Sequence, residues 1–160
     1  MKKHLMNLTN FSFGSTSAIT TNISIVIGLG SGNISKIAII GSLLVIAIAD
    51  NISDSLGVHM YKESEACGLK ESLISTIGNF SARLIISLSF VATIMIFSIE
   101  VAQIITLIWG LFLLGSLSYL IARRNKDNPL KEVVKHITVA VIVIALSRYF
   151  GTLLLRKFQF

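Results

Sequence analysis

Five apolar runs follow one another along the chain, each long enough to be a helix that crosses a membrane. The hydrocarbon core of a bilayer is about 30 Å thick and a helix rises about 1.5 Å per residue, so one span needs about 20 residues. Of the 160 residues, 53% are hydrophobic and only 14% are charged, which is more apolar surface than a soluble domain of this size can bury. We therefore predict an all-α, polytopic membrane protein, one transmembrane domain over 1–160 with five transmembrane helices at about 13–30, 34–61, 82–99, 101–122 and 133–155.

The lysine and arginine residues predict how these helices are oriented, because positive charge is retained on the cytoplasmic side of a membrane. With the N-terminus inside, ten of the 14 fall in cytoplasmic segments and four fall outside. The sequence thus predicts an N-in/C-out protein of the cell membrane, with anionic lipid as a partner of its cytoplasmic loops. Nucleic acid is not a predicted partner, since the charges are scattered over loops and do not gather on one folded face.

A polar segment ends the second apolar run and reads A-D-N-I-S-D-S-L-G-V-H-M-Y-K-E-S-E over 49–65. A carboxylate inside a membrane helix is costly unless it is paired, hydrated or metal-bound, so Asp50 and Asp54 mark a candidate functional site. Their four-residue spacing puts them about 40° apart around a helix and about 6 Å apart along it. This spacing permits both carboxylates to bind one hard divalent cation, such as Mn²⁺ or Fe²⁺, with Asn51 as a further oxygen ligand.

Further candidate metal ligands lie at the end of the same helix. His59 is a suitable ligand for a transition metal, although its nine-residue distance from Asp50 puts it on the opposite helix face. Glu63 and Glu65 either collect cations at the cytoplasmic entrance or, alternating with lysines, form a solvated charged face. The predicted metal-binding set is Asp50, Asn51, Asp54, His59, Glu63 and Glu65.

The first helix carries small residues at four-residue spacing, such as Gly14 and Ala18, which allow membrane helices to approach closely and to exchange side-chain hydrogen bonds. We therefore expect this helix to be buried among the others. Its polar side chains either line a transport path or only pack helices together. The candidate path residues are Ser17, Thr20, Thr21 and Asn22.

Arg83 opens the third predicted span and supplies the competing interpretation. If it pairs with Asp50 or Asp54, the acidic residues form a structural salt bridge and not an ion site. An enzyme is not predicted, because the chain has one cysteine, no phosphate-binding glycine loop and no HExxH motif. The two functions left open are a cation transporter and a non-transporting membrane scaffold that binds a partner.

Several local patterns support the first of these functions. The first helix reads F-G-S-T-S-A-I-T-T over 13–21, the fourth reads L-F-L-L-G-S-L-S-Y-L-I-A-R over 111–123, and the fifth contains Y-F-G at 149–151. Together with Gly41, Ser53, Gly57 and Ser64 in the second helix, these patterns resemble the vacuolar iron transporter (VIT) family. The resemblance implies a homodimeric divalent-metal transporter whose first helix lines the path at the two-fold interface.

The chain also departs from the pattern of that family. Ser17 stands where the family carries an acidic residue on the metal path, and Ser53-Asp54 and Gly57-Val58-His59 replace Ser-Met and Gly-Glu-Tyr. The cytoplasmic metal-binding insert is absent, because only 62–81 joins the second and third predicted spans. The expected route runs from Glu63 and Glu65 through the two aspartates to the first helix. Iron or manganese is the cargo, protons flow in the opposite direction, and no bound cofactor is expected.

Overall fold

The computed structural model describes the backbone of residues 2–157 and the side chains of residues 12 and 14–157. These residues form five helices, which confirms the all-α prediction for the described part of the chain. By length and composition, four of them are able to cross a membrane, namely α2, α3, α4 and α5. The helices are α1 (Lys2–Ser31), α2 (Lys36–Ser64), α3 (Leu69–Ile96), α4 (Ile99–Asn125) and α5 (Pro129–Lys157).

Helix α1 lies in the middle of the bundle and packs against all four other helices. Its apolar residues Ile19, Ile23 and Val26 are at most 1% exposed. This central position confirms the expectation that α1 is buried. It also explains how the most polar of the five segments is accommodated, because protein buries Ser15 and Asn22 and partly covers its other described hydroxyl side chains.

Two groups of buried apolar residues hold the bundle together. The first joins α1 to α3, α4 and α5 and includes Ile23, Phe90 and Leu114. The second, here called the apolar cluster, lies near the α1–α2 and α3–α4 connections and joins the first four helices. Its buried members are Val26, Ile39, Leu43, Val91, Ile94 and Ala102.

Helix α3 is longer than the apolar segment 82–99 that the sequence singles out, because it already begins at Leu69. The added turns carry Ser72, Ser75 and Asn79, which are polar and yet fully buried. A hydropathy pattern cannot distinguish such residues from an exposed loop. Helices α3 and α4 form a tight hairpin, since only Phe97 and Ser98 separate them.

The helices α2 and α3 run antiparallel in a defined register. At one end, Lys36 Nζ donates to the carbonyl oxygens of Met95 and Phe97 at 3.1 and 2.9 Å and so caps the C-terminus of α3. At the other end, the His59 ring nitrogen Nδ1 lies 3.2 Å from Thr76 Oγ1. Asp50 and Asp54 fall between these two contacts and therefore lie beside the middle of α3.

Candidate functional site

Arg83 of α3 is the centre of the site. Its side chain is 1% exposed and forms ion pairs with both Asp50 and Asp54 of α2, whose side chains are 40% and 31% exposed. The Arg83 Nε also donates to Asn51 Oδ1 at 2.7 Å. One buried cation therefore faces two half-buried carboxylates and an amide. We call these four residues the Arg83 cluster.

The local sequence of each helix explains why the cluster forms. Asp50 and Asp54 are one helical turn apart on α2, so both reach the same guanidinium. On α1, Gly14 leaves room for α3, because a Cβ there would lie 2.0 Å from Asn79 Oδ1 and 3.1 Å from Arg83 Cγ. Ser17, one turn further along α1, donates from Oγ to Asp54 Oδ2 at 3.5 Å.

A polar face on α3 extends away from Arg83 in both directions. Asn79 Nδ2 donates to Ser55 Oγ of α2 at 3.3 Å, and Asn22 Nδ2 of α1 donates to Ser87 Oγ at 3.0 Å. The spacing of three and four residues puts the members on one side of the helix. The members of this face, here called the polar track, are Ser72, Ser75, Asn79, Arg83 and Ser87.

Some atoms of the polar track are buried without a protein partner. Among the described residues, these atoms include Ser72 Oγ, Ser75 Oγ and Asn79 Oδ1. A buried polar atom that makes no hydrogen bond costs about 1–3 kcal/mol, so native proteins usually pair such atoms with protein or water. These atoms on the buried side of α3 therefore have hydrogen-bonding capacity that the described protein atoms do not satisfy.

Two of the four predicted path residues on α1 contact the Arg83 cluster or the polar track, and the path itself stays a prediction. Ser17 reaches Asp54, and Asn22 reaches Ser87 while also donating to the carbonyl oxygen of Ala18 at 2.7 Å. The Thr20 hydroxyl donates to the carbonyl of its own helix one turn earlier, at 3.0 Å. Among the described side-chain hydrogen bonds, none joins Thr21 to the cluster. Two of the four residues are therefore at the site.

The predicted entrance residues form separate contacts at the end of α2. His59 Nε2 lies 3.4 Å from Glu63 Oε1. The Tyr61 hydroxyl donates to Glu65 Oε1 at 2.6 Å, which holds the pKa of the Glu65 carboxyl below its ordinary value. Within residues 12 and 14–157, no three His, Cys, Asp or Glu side chains come together as a metal site. The metal-binding role of the predicted ligands therefore stays a prediction.

The charges of the Arg83 cluster do not balance. Asp50 and Asp54 carry two negative charges when ionised, and Arg83 carries one positive charge, so one negative charge remains. In the described part of the chain, neither aspartate pairs with another cationic side chain. The competing interpretation of the sequence paired Arg83 with one aspartate, whereas in the structure Arg83 pairs with both.

Comparison with known protein families, with curated proteins and with solved structures gives no match for this chain. The resemblance to the VIT family therefore stays a prediction from the sequence.

Proposed function

We propose that this protein is a proton-coupled cation transporter, in which Asp50 and Asp54, paired with Arg83, bind the proton and the metal ion that are exchanged. The observation that carries the proposal is the unbalanced negative charge of the Arg83 cluster. Both carboxylates pair with Arg83, but the net negative charge that remains in a membrane segment needs water, a proton or another cation to stabilise it. The fully buried Arg83 is held in place, whereas the partly exposed carboxylates are accessible for exchange.

The charge of the cluster favours a proton as one of the exchanging ions. With one proton bound, two carboxyl groups and one guanidinium are neutral together, which is the form best suited to a membrane interior. A divalent ion in place of that proton would leave one positive charge, so it would be held more weakly and released more readily. Following the resemblance to the VIT family, we take Fe²⁺ or Mn²⁺ as the cargo exported from the cytosol.

The membrane arrangement proposed with this function has five spans, N-in and C-out, in the cell membrane. Helix α1 crosses as the central, protein-covered span. The positive charges of the α2–α3 and α4–α5 connections then lie on the cytoplasmic side. Two chains form a homodimer, as the resemblance implies.

Metal uptake into liposomes tests this function. Purified protein is reconstituted around a metal-quenched dye, and Mn²⁺ and Fe²⁺ are added outside. We expect metal entry with the native chain and a loss of at least about tenfold in rate, equivalent to ~1.4 kcal/mol, in Asp50→Asn and in Asp54→Asn. The control is Asp127→Asn, which alters an exposed carboxylate in the α4–α5 connection and should leave the rate unchanged.

A membrane scaffold is the second candidate function, and one observation favours it. Arg83 already has Asp50, Asn51 and Asp54 as partners, so the cluster is able to lock α2 to α3 without any exchange. In that case native protein that is folded in the liposomes would transport neither metal ion. The same uptake assay therefore separates the two functions.

A further inference from the structure

The buried face of α2 changes character along its length. Near the α1–α2 connection the buried residues are apolar, with Ile39, Leu43 and Ala47 at 0% exposure. Toward the α2–α3 connection they include Asn51, at 1%, and Ser55, at 4%. The change falls at the level of the Arg83 cluster.

The buried face of α3 changes in the same way and at a matching level. The polar track occupies the part nearer the α2–α3 connection and spans about 22 Å from Ser72 to Ser87. Beyond it the buried residues are Phe90, Val91 and Ile94. Because α2 and α3 run antiparallel, the polar parts of both helices lie together at one end of the bundle and the apolar parts at the other.

The unpartnered atoms of the polar track lie on the side of Arg83 that leads to the α2–α3 connection. Ser72 Oγ, Ser75 Oγ and Asn79 Oδ1 are buried without a protein partner among the described residues, and Ser72 is in the first turn of α3. Buried polar atoms of this kind usually bind internal water. In the opposite direction, the members of the apolar cluster offer water no polar side chain.

We propose that the polar track is a water-filled route from the α2–α3 connection to the Arg83 cluster, and that the apolar cluster seals the site from the other side of the membrane. Through this route, protons and small cations reach Asp50 and Asp54 from the side of the α2–α3 connection. The route passes within a single subunit, between α1, α2 and α3. This inference rests on the proposed function for the identity of the ion, but the water route can be tested without any transport.

Cysteine labelling from each side of a sealed membrane tests the route. Native Cys67 lies in the α2–α3 connection and marks that side. In a Cys67→Ser background, Ser75→Cys places a thiol in the polar track, and Val91→Cys places one in the apolar cluster on the same helix. Vesicles of uniform orientation are treated on either side with a membrane-impermeant, cationic methanethiosulfonate. The remaining free thiols are counted after unfolding in detergent.

We expect Ser75→Cys to be modified from the side that modifies Cys67 in the native chain, and not from the other side. Val91→Cys should not be modified by reagent added on either side. Ser72→Cys and Ala102→Cys are second variants for the track and the cluster, and both change the side-chain volume little. The proposal is overturned if the track thiols stay unmodified in folded protein, or if the thiols of the apolar cluster react equally. If the labelling results are as expected but the liposome assay shows no metal uptake, the water route is retained and the transport function is refuted.

Discussion

Replacing Arg83 with glutamine is expected to lower the free energy of unfolding by about 3 kcal/mol, the lower end of the ~3–5 kcal/mol that removal of one partner of a buried ion pair costs. Arg83→Gln leaves Asp50 and Asp54 without a cation and next to each other. Both carboxylates are partly exposed, at 40% and 31%, so water compensates for some of the loss. Thermal unfolding of the purified protein in a mild detergent measures the change.

Removal of the two carboxylates provides the control for this prediction. The triple variant Arg83→Gln, Asp50→Asn and Asp54→Asn has no charge in the cluster and retains polar side chains of similar size. It should recover most of the stability lost in Arg83→Gln, because the loss comes from unpaired charge and not from the shape of the side chain. A triple variant no more stable than Arg83→Gln would contradict the charge account.

Replacing Gly151 with alanine is expected to destabilise the contact between α1 and α5 by about 1–3 kcal/mol, the usual cost of overpacking. A Cβ at this position would lie 2.0 Å from the Gly28 carbonyl oxygen and 2.5 Å from Ser31 Oγ. The first of these atoms belongs to the backbone and cannot rotate away, so α5 has to move. Unfolding by increasing amounts of a denaturing detergent measures the loss.

Gly57 of α2 is a matched control, because nothing lies within 4 Å of a Cβ built there. Gly57→Ala should leave stability unchanged or raise it by up to ~1 kcal/mol, since alanine is the better helix former. If Gly151→Ala were as stable as Gly57→Ala, that result would contradict the close approach of α1 and α5 at Gly151.

Three helices were predicted closely from the sequence, but α1 and α3 begin earlier than predicted, at Lys2 and Leu69 and not at 13 and 82. Apolar runs are local patterns, and they correspond to α2, α4 and α5 within a few residues; the break predicted at residue 100 lies at Phe97 and Ser98. The first turns of α3 were missed because Ser72, Ser75 and Asn79 are polar. Their burial depends on packing against α1 and α2, although their three- and four-residue spacing was a signal available in the sequence.

The sequence pointed to the acidic residues of the Arg83 cluster but not to how they are arranged. The spacing of Asp50 and Asp54 predicted a shared divalent cation, with a pair to Arg83 as the competing interpretation, and in the structure Arg83 pairs with both. Which residue of α3 faces them depends on the register between two helices, which the sequence of neither helix contains. The role of Gly14 is likewise visible only once α1 and α3 are packed together.

Dependence of Mn²⁺ accumulation on a proton gradient tests the central claim most directly. Proteoliposomes are prepared with the lumen one pH unit more acidic than the outside, and the membrane potential is held at zero with potassium and valinomycin. A pH unit supplies about 1.4 kcal/mol per proton, so one-for-one exchange should raise Mn²⁺ accumulation by about tenfold over vesicles without a gradient. The account predicts this increase for the native chain and none for Asp54→Asn. Equal accumulation by the native chain with and without the gradient would contradict it.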